Sequence, residues 1–564
     1  MRTRSVLVYL CTSLACVSIA ACSSAPPSPP EERAPEGPPW FEDISEEAGI
    51  RFVHDAGPVG TYFMPQQVGS GAAMFDANGD GKLDILLLQN GGPSGAKNSL
   101  YLQTSDGKFR DASAGSGLDF AGNNMGVAIG DVDNDGRPDV LVTQYTGLRF
   151  FLNQGDGKFV ESKECGLSNP AWSTSAAFFD YDRDGRLDLI VVSYVDYDPT
   201  WVCTGHSGRD YCAPKVFKGR VSRLFHNETV GGVVRFADVT EASGLSRMPG
   251  PGLGVVCADF DGDGWPDAFI ANDGAPNRLW MNQKNGTFKE EAIQRGIAYN
   301  AMGVAQAGMG VALGDVDGDG LFDVFVTHLS EETHTLWKQG PRGLFSDATA
   351  AAGLIAPTGR GTGFGTLLAD FDCDGSLDLA VVNGRVAARA NVEDHSLGPF
   401  WSAYGDRNQI FRGDGAGRFQ DASRQSPAIS GRSTVSRGLL RGDIDGDGAQ
   451  DLLVTSVAGP ARLYRNVVPN RGHWLTVRAM DPSSKRDAYG AEIRIRIGDR
   501  TRTAWLNPAE SYLCSSEPCA HFGLGTAERV DSIEVHWPDG TSERFPGVAS
   551  DRRVILTRGT GQPK

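Results

Sequence analysis

The sequence lacks the short signatures that announce most enzymes. It has no G-x-S-x-G elbow, no H-E-x-x-H helix, no Walker loop and no G-x-G-x-x-G turn, so nucleophilic hydrolysis, zinc proteolysis and nucleotide chemistry have no local motif to rest on. S-x-x-K occurs at Ser94 and Ser105, the second inside a hairpin turn, and both read as accidental. Basic residues are also few: 53 Lys and Arg stand against 70 Asp and Glu, a formal net charge of -17. With no basic stripe to neutralise phosphates, nucleic acid is excluded as a partner. None of the ten cysteines stands in a Cys-x-x-Cys pair, the spacing of a structural zinc site. Histidine is scarce, at nine residues, and the spacing of His473, His521 and His536 fits no ligand signature.

What the chain has instead is aspartate in a fixed pattern, Asp-x-Asp-x-Asp-Gly-x-x-Asp. The pattern supplies Asp76, Asn78, Asp80 and Asp84; Asp131, Asp133, Asp135 and Asp139; Asp180, Asp182, Asp184 and Asp188; Asp259, Asp261, Asp263 and Asp267; Asp315, Asp317, Asp319 and Asp323; Asp370, Asp372, Asp374 and Asp378; and Asp443, Asp445, Asp447 and Asp451. Successive copies start 55, 49, 79, 56, 55 and 73 residues apart, a period that marks an array of supersecondary units. Four carboxylates within nine positions repel one another unless something positive sits between them. Oxygens at positions one, three, five and nine, a sharp Gly turn at six and a carbonyl at seven make a hard-cation cage, an EF-hand that ends early. Flexible all-protein oxygen coordination suits calcium better than magnesium. Asp-Gly hairpins alone would account for one or two copies, not seven. About seven structural calcium ions, at +2 each, would supply +14 against the formal charge of -17.

Each loop is preceded by a segment of small residues, such as GMGVALGD or GFGTLLAD, and followed by an apolar strand, such as LDLIVVS. A segment of the N-R-L-W-M-N type then leads through a Gly-rich turn into F-x-D/E. Four short strands per unit describe a propeller blade, with Gly and Ala on the innermost strand, where blades converge. The outer-strand motif begins at Phe41, Phe109, Phe159, Phe236, Phe288, Phe345 and Phe419. The first precedes every Asp loop and the last loop has no such motif after it, so the amino-terminal strand is expected to complete the final blade and remove the free sheet edges. The fold class expected is all-β: a seven-bladed β-propeller over residues 40–467, a small β-sandwich over 468–558, where EIRIRI and IEVHW alternate apolar with polar, and a tail at 559–564.

Residues 1–21 read as a secretory signal, with two arginines and an apolar stretch from Val6 to Ala21. Ile19-Ala20-Ala21-Cys22 resembles the bacterial lipobox, which implies cleavage before Cys22, its acylation and a stable membrane anchor. Ser23 stands where an inner-membrane retention signal would put Asp, so the resemblance favours the outer membrane or cell surface. The Pro-rich stretch after Cys22, up to residue 39, reads as a disordered tether. Cys203 with Cys212, and Cys514 with Cys519, can each close a short disulfide loop in an oxidising compartment. Cys165, Cys257 and Cys373 leave an odd thiol.

The repeats resemble FG-GAP/VCBS repeats, the units of the integrin α-subunit propeller. Residues 472–545 are similar to the ASPIC/UnbV domain, through YGAEIRI, HFGLG and IEVHWPDG. Together they resemble the cartilage acidic protein family in its bacterial form, and the insertion SYVDYDPTWVCTGHSGRDYCAPKVFKG resembles that family's cysteine-bearing loop. The resemblance implies secretion, calcium-binding repeats and an adhesion or matrix role, with no catalysis to carry over. The paired cysteines at 514 and 519 depart from the family's HFGLG region.

The function expected is a calcium-binding, lipid-anchored envelope propeller that binds a protein or glycan. Insertions at about 189–224 and 383–409 interrupt the period, and their aromatics, Tyr194, Tyr197, Trp201, Tyr211, Trp401 and Tyr404, either anchor a partner or pack the insertions down. The rival reading is an enzyme whose site is built from loops at the propeller axis or between the two domains. Two Arg-Gly-Asp tripeptides, ending at Asp414 and Asp443, are explained by turn chemistry and by the Asp loop, not by integrin binding.

Overall fold

A computed structural model describes residues 37–205, 208–355, 361–392 and 394–564. Cys22, the signal segment and nearly all of the tether lie outside the described residues. Among the described residues no helix is long and apolar enough to cross a membrane.

Seven antiparallel sheets follow the seven Asp patterns. The fourth is representative: Gly252–Ala258, Asp267–Asn272, Arg278–Asn282 and Phe288–Glu290 pair in sequence order. The last sheet is Ser436–Gly442, Asp451–Ser456, Arg462–Asn466 and then Phe41–Asp43, with Phe41 opposite Asn466. The inner strands neighbour one another in cyclic order, so the chain's first strand closes a seven-bladed ring. Glycine is required where blades converge: a Cβ at Gly254 would strike the Met309 carbonyl, and one at Gly310 that of Phe364, each on the next blade.

Blades are also stitched by amides that end their third strands. Asn153 donates to Ala77 O at 3.2 Å, Asn227 to Val132 O at 2.9 Å, Asn282 to Tyr181 O at 2.8 Å, Asn466 to Phe371 O at 2.8 Å and Gln103 to Ile444 O at 2.5 Å. Each acceptor is the second residue of the neighbouring blade's Asp loop. In the sixth blade that third-strand position is Gly413, and the Gly417 amide reaches Val316 O instead, at 3.1 Å.

The carboxy-terminal region forms two sheets. His473–Asp481 is paired with Ala520–Gly525 and Arg552–Thr557, and Ala491–Ile497 lies between Arg500–Leu506 and Ser532–His536. Alternation places Ile493, Ile495, Ile533 and Val535 in the core. Between the sheets, however, the chain leaves this domain and enters the ring. Ala509–Glu510 and Cys514–Ser515 pair with each other, and Ser515 pairs in parallel with Ala73 of the first blade. Ser511 exchanges two 2.9 Å backbone hydrogen bonds with Val311 of the fifth blade, Val127 of the second donates to Leu513 O at 3.2 Å, and Thr366 of the sixth donates to the Ser511 hydroxyl at 3.1 Å. Leu513 donates to Ser175 of the third blade, Glu510 is ion-paired at 3.0 Å to Arg441 of the seventh, and Ala509 packs with Val255 and Cys257 of the fourth. The segment fills the axis and touches every blade.

That path corrects one expectation. Cys203 and Cys212 form a disulfide, but Cys514 and Cys519 are free, buried thiols. Closing a short loop between them would require a turn, whereas Cys514 lies in an extended strand inside the ring, beside Gly438, and Cys519 sits among Glu517, Arg441 and Arg553. Denatured protein lacking residues 1–36 should therefore titrate five thiols with Ellman's reagent; a count of three would restore the second bridge.

Candidate metal centres and the covered faces of the ring

Each Asp loop joins an inner strand to the second strand, so all seven lie at one end of the ring. Their backbone geometry repeats closely. The position-nine carboxylate is buried in every copy, at most 2% exposed. One of its oxygens accepts the amide of loop position two, at 2.9 to 3.1 Å. The other accepts an amide of the third strand, at 2.8 to 2.9 Å. The position-one carboxylate accepts the amide of the position-six glycine, at 2.7 to 3.1 Å. All seven position-six glycines have φ between 82 and 96°, left-handed backbone that only glycine adopts cheaply. Position four is left-handed as well, and there Asn134, Arg183 and Cys373 hold it at φ 58, 63 and 54° without being glycine.

Burial makes these carboxylates costly as anions. It pushes Asp84, Asp188 and Asp323 up to about 7, and Asp131, Asp180, Asp259, Asp315 and Asp443 up to about 6. Asp139, Asp267, Asp370, Asp378 and Asp451 stand well above the usual carboxylate range for the same reason. The backbone amides they accept work in the opposite direction and do not overcome it. Among the described loop acids, five carboxylate oxygens have no hydrogen-bond partner although they are shielded from solvent: Asp133, Asp261, Asp315, Asp317 and Asp370, each at Oδ1. Within single loops the acids converge: oxygens of Asp131, Asp133 and Asp139, or of Asp315, Asp317 and Asp323, lie within 4.8 Å of one another. Unpartnered, converging, desolvated oxygens are the donor set of a hard divalent cation.

Sequence reasoning missed a counter-charge on the third strand. His226, Lys338 and Arg412 occupy equivalent positions and reach the acids of their own loops. His226 Nδ1 lies 3.0 Å from Asp188 and 3.4 Å from Asp182, Lys338 pairs with Asp317, and Arg412 lies 2.6 Å from Asp372 and 3.3 Å from Asp374. Hydrogen bonding to Asp188 raises His226 to about 9. A legible signal existed, since these residues immediately precede the amide or glycine that ends each third strand.

The carboxy-terminal domain covers this loop end. Arg486 donates to Asn134 at 3.0 Å and to Gly185 O at 3.2 Å, joining the second and third loops. Gly472 donates to Asp372 O and Gly525 to Cys373 O, at 3.0 and 2.9 Å, while His521 meets Gly448 O at 2.8 Å. His473 pairs instead with Asp551 and His536 with Ser542, so the three histidines have separate partners. Arg441 and Asp443 of one Arg-Gly-Asp are occupied by Glu510 and by the seventh loop.

The insertions follow second strands and so cover the opposite end, where they meet each other. The Tyr211 and Tyr404 rings are 5.5 Å apart, and Asp210 accepts from the Tyr404 hydroxyl at 2.7 Å and from the Ala388 amide at 2.9 Å. Tyr194, Tyr211, Trp401 and Tyr404 are buried and Tyr197 is half-buried. Only Trp201 among the six is exposed, at 51%. Five of the six aromatics thus pack the insertions down: Tyr211, Trp401 and Tyr404 bury one another where the two insertions meet, and Tyr194 and Tyr197 pack against Trp172 of the ring. Arg437 is fully buried beneath them and donates to carbonyls of Gln67, Gly384 and Ser436, at 2.5 to 3.0 Å.

Residues 76–142, 131–191, 259–326 and 315–381 match the FG-GAP-like repeat family, and residues 481–563 match the ASPIC and UnbV family. The chain is 27% identical over 503 residues to cartilage acidic protein 1 of Xenopus tropicalis, spanning 84% of this chain and 71% of that protein. It is 26% identical over 507 residues to cartilage acidic protein 1 of Homo sapiens, spanning 84% and 70%. Among solved structures, BBS1N in complex with ARL6DN superposes with a TM-score of 0.40 at 11% identity, covering 77% of this chain and 98% of that chain.

Proposed function

We propose, from the premise that this chain belongs with the FG-GAP and ASPIC/UnbV proteins and is homologous to cartilage acidic protein 1 across 84% of its length, that it is a calcium-loaded interaction module of the cell envelope. The interaction module is the propeller with its carboxy-terminal ASPIC/UnbV domain. It carries calcium in the Asp loops and a lipid on Cys22, stands at the outer membrane or cell surface, and takes a protein or glycan as partner.

The observation that carries the calcium reading is the set of buried, unpartnered Oδ1 atoms at Asp133, Asp261, Asp315, Asp317 and Asp370. A bound cation would take those oxygens with the remaining acids of each loop. The protein's own part is to hold the position-nine carboxylate by two amides and position one by the Gly amide, which presents the free lone pairs inward. Ser511 to Ser515 run through the axis of the ring.

Metal analysis of protein equilibrated with millimolar calcium, then desalted by ultrafiltration against matched buffer, should find about seven ions per chain; fewer than three would overturn the reading. Anchoring is checked by mass spectrometry of the amino-terminal peptide, which should begin at an acylated Cys22. Pull-down from native envelope, with and without calcium, then tests the partner.

A further inference from the structure

The tip of the first insertion joins exposed apolar side chains to cations that nothing neutralises. Among the described residues Trp201 is the only aromatic that counts as a large exposed hydrophobic side chain, and Val202 beside it is 66% exposed. The Trp201 ring leans on Phe217 at 5.9 Å, Phe217 on Tyr197 at 5.2 Å, and Tyr197 on Trp172 of the ring at 5.8 Å. The Cys203–Cys212 disulfide closes the hairpin that follows. The tip is braced from below, so covering it costs little conformational entropy. Lys215 and Lys218 flank Val216 and Phe217, and both are exposed with no ion-pair partner among the described residues. Arg209 is exposed as well, over the Tyr62 ring at 5.3 Å. Of the acids here, Asp210 turns to the second insertion, Asp196 stands 3.8 Å from Arg220 and Asp198 caps Thr200 at 2.9 Å. Arg209, Lys215, Lys218 and Arg220 thus outnumber Asp196 and Asp198 on the exposed tip, in a chain of formal charge -17.

Charge complementarity calls for an anion, and the exposed Trp and Val side chains call for an apolar phase directly beneath it. An anionic bilayer supplies both in that order: phosphate headgroups at the level of the flexible lysine ammonium groups, and hydrocarbon below them. Indole suits that boundary, being apolar in its body and polar at its N–H. We infer that the tip of the first insertion docks on a membrane surface that contains anionic phospholipid. The net negative charge of the whole chain does not oppose this contact, because exposed charges farther away than a Debye length of about 10 Å at 0.1 M salt are largely screened. The chain ahead of the ring is long enough as well. Extended, residues 22 to 36 span roughly 50 Å, against roughly 20 Å for a six-residue strand. An anchor at Cys22 therefore leaves the insertion end within reach of the bilayer, although Phe41 pairs with Asn466 at the loop end. The contact is noncovalent, adds a second membrane attachment to the protein-or-glycan reading above, and does not require the acyl group.

The chain from residue 22 onward, carrying Cys22→Ser and so no acyl group, is cosedimented in calcium buffer with vesicles of phosphatidylcholine alone or of phosphatidylcholine mixed with phosphatidylglycerol. It should bind the mixed vesicles and not the neutral ones, and high salt should release it. Trp201→Ala should weaken binding about tenfold, and Lys215→Gln and Lys218→Gln about fivefold each. Val233→Ser, which removes a side chain 72% exposed at the loop end, should leave it unchanged. The melting temperature of each variant, read on the same samples, separates lost docking from lost folding. No binding to the mixed vesicles, equal binding to both kinds, or unaltered binding in Trp201→Ala would each overturn the inference. So would displacement from the vesicles by soluble polyglutamate or inorganic phosphate at equal charge concentration, which would assign the tip to a soluble anion. The acyl group is absent throughout, so failure of docking and failure of the Cys22 reading remain separate results.

Discussion

Chelation should lower the melting temperature of the protein by roughly 10 °C. Sites of this type outside the cell bind calcium with dissociation constants of roughly 0.1 to 1 mM, and at tenfold excess each would contribute about 1.4 kcal/mol. Seven independent sites then contribute on the order of 10 kcal/mol, and an unfolding entropy of about 2.1 cal/mol/K per residue converts that to the stated shift. The amide stitches end on loop carbonyls of the neighbouring blade, at Ala77, Val132, Tyr181, Phe371 and Ile444. Loosening one loop therefore loosens two blades, and a single cooperative transition is expected. An unchanged melt in chelator, measured by calorimetry, would remove the structural role of the cation.

The pH dependence in chelator is distinctive. Without metal, burial holds Asp84, Asp188 and Asp323 near 7, far above the ordinary aspartate value of about 3.9. Between those limits the folded state binds more protons than the unfolded one, so stability rises as pH falls. Chelated protein should melt higher at pH 5.5 than at pH 7.5. Calcium-loaded protein should not share the gain, because protons and cations compete for the same oxygens.

Replacing Tyr512 with alanine should cost about 3–5 kcal/mol, the range for truncating a large buried aromatic. Tyr512 is fully buried inside the ring, packs at 5.0 Å against Phe364, and donates to Val68 O at 3.3 Å. It links the sixth blade, the segment preceding the first blade and the carboxy-terminal domain in one contact. Beyond the lower midpoint, the variant should be cut by protease near residues 507–519, where the chain enters the axis. Tyr512→Phe, which keeps the ring and removes one hydrogen bond, should cost about 1 kcal/mol. Equal stability of the alanine variant and the parent would mean that the axial segment is not part of the folded core.

Much of the ring was legible because its physics is local and repeated. A position-six glycine is needed for a left-handed turn, an acid at nine for two amides, small residues where strands converge, and Phe41 for an edge otherwise unpaired; each leaves a mark at a fixed offset. The third-strand amides at Asn153, Asn227, Asn282 and Asn466 left a mark too, but their carbonyl partners lie 76 to 101 residues away, so no local pattern states their purpose. The insertion aromatics were ambiguous for a related reason. Composition tells that a ring wants to be covered, not whether a partner or another insertion covers it.

The amino-acid sequence by itself determined the repeat, the number of units, the acids that crowd each loop and the strand that closes the circle, since all of these follow from short-range backbone and charge requirements. Only the tertiary structure decided that Ser511 to Ser515 run through the axis, that Cys514 and Cys519 stay apart, and that Tyr211 meets Tyr404. Those outcomes depend on which distant surface each segment buries, and burial is a property of the assembled fold rather than of any stretch of chain.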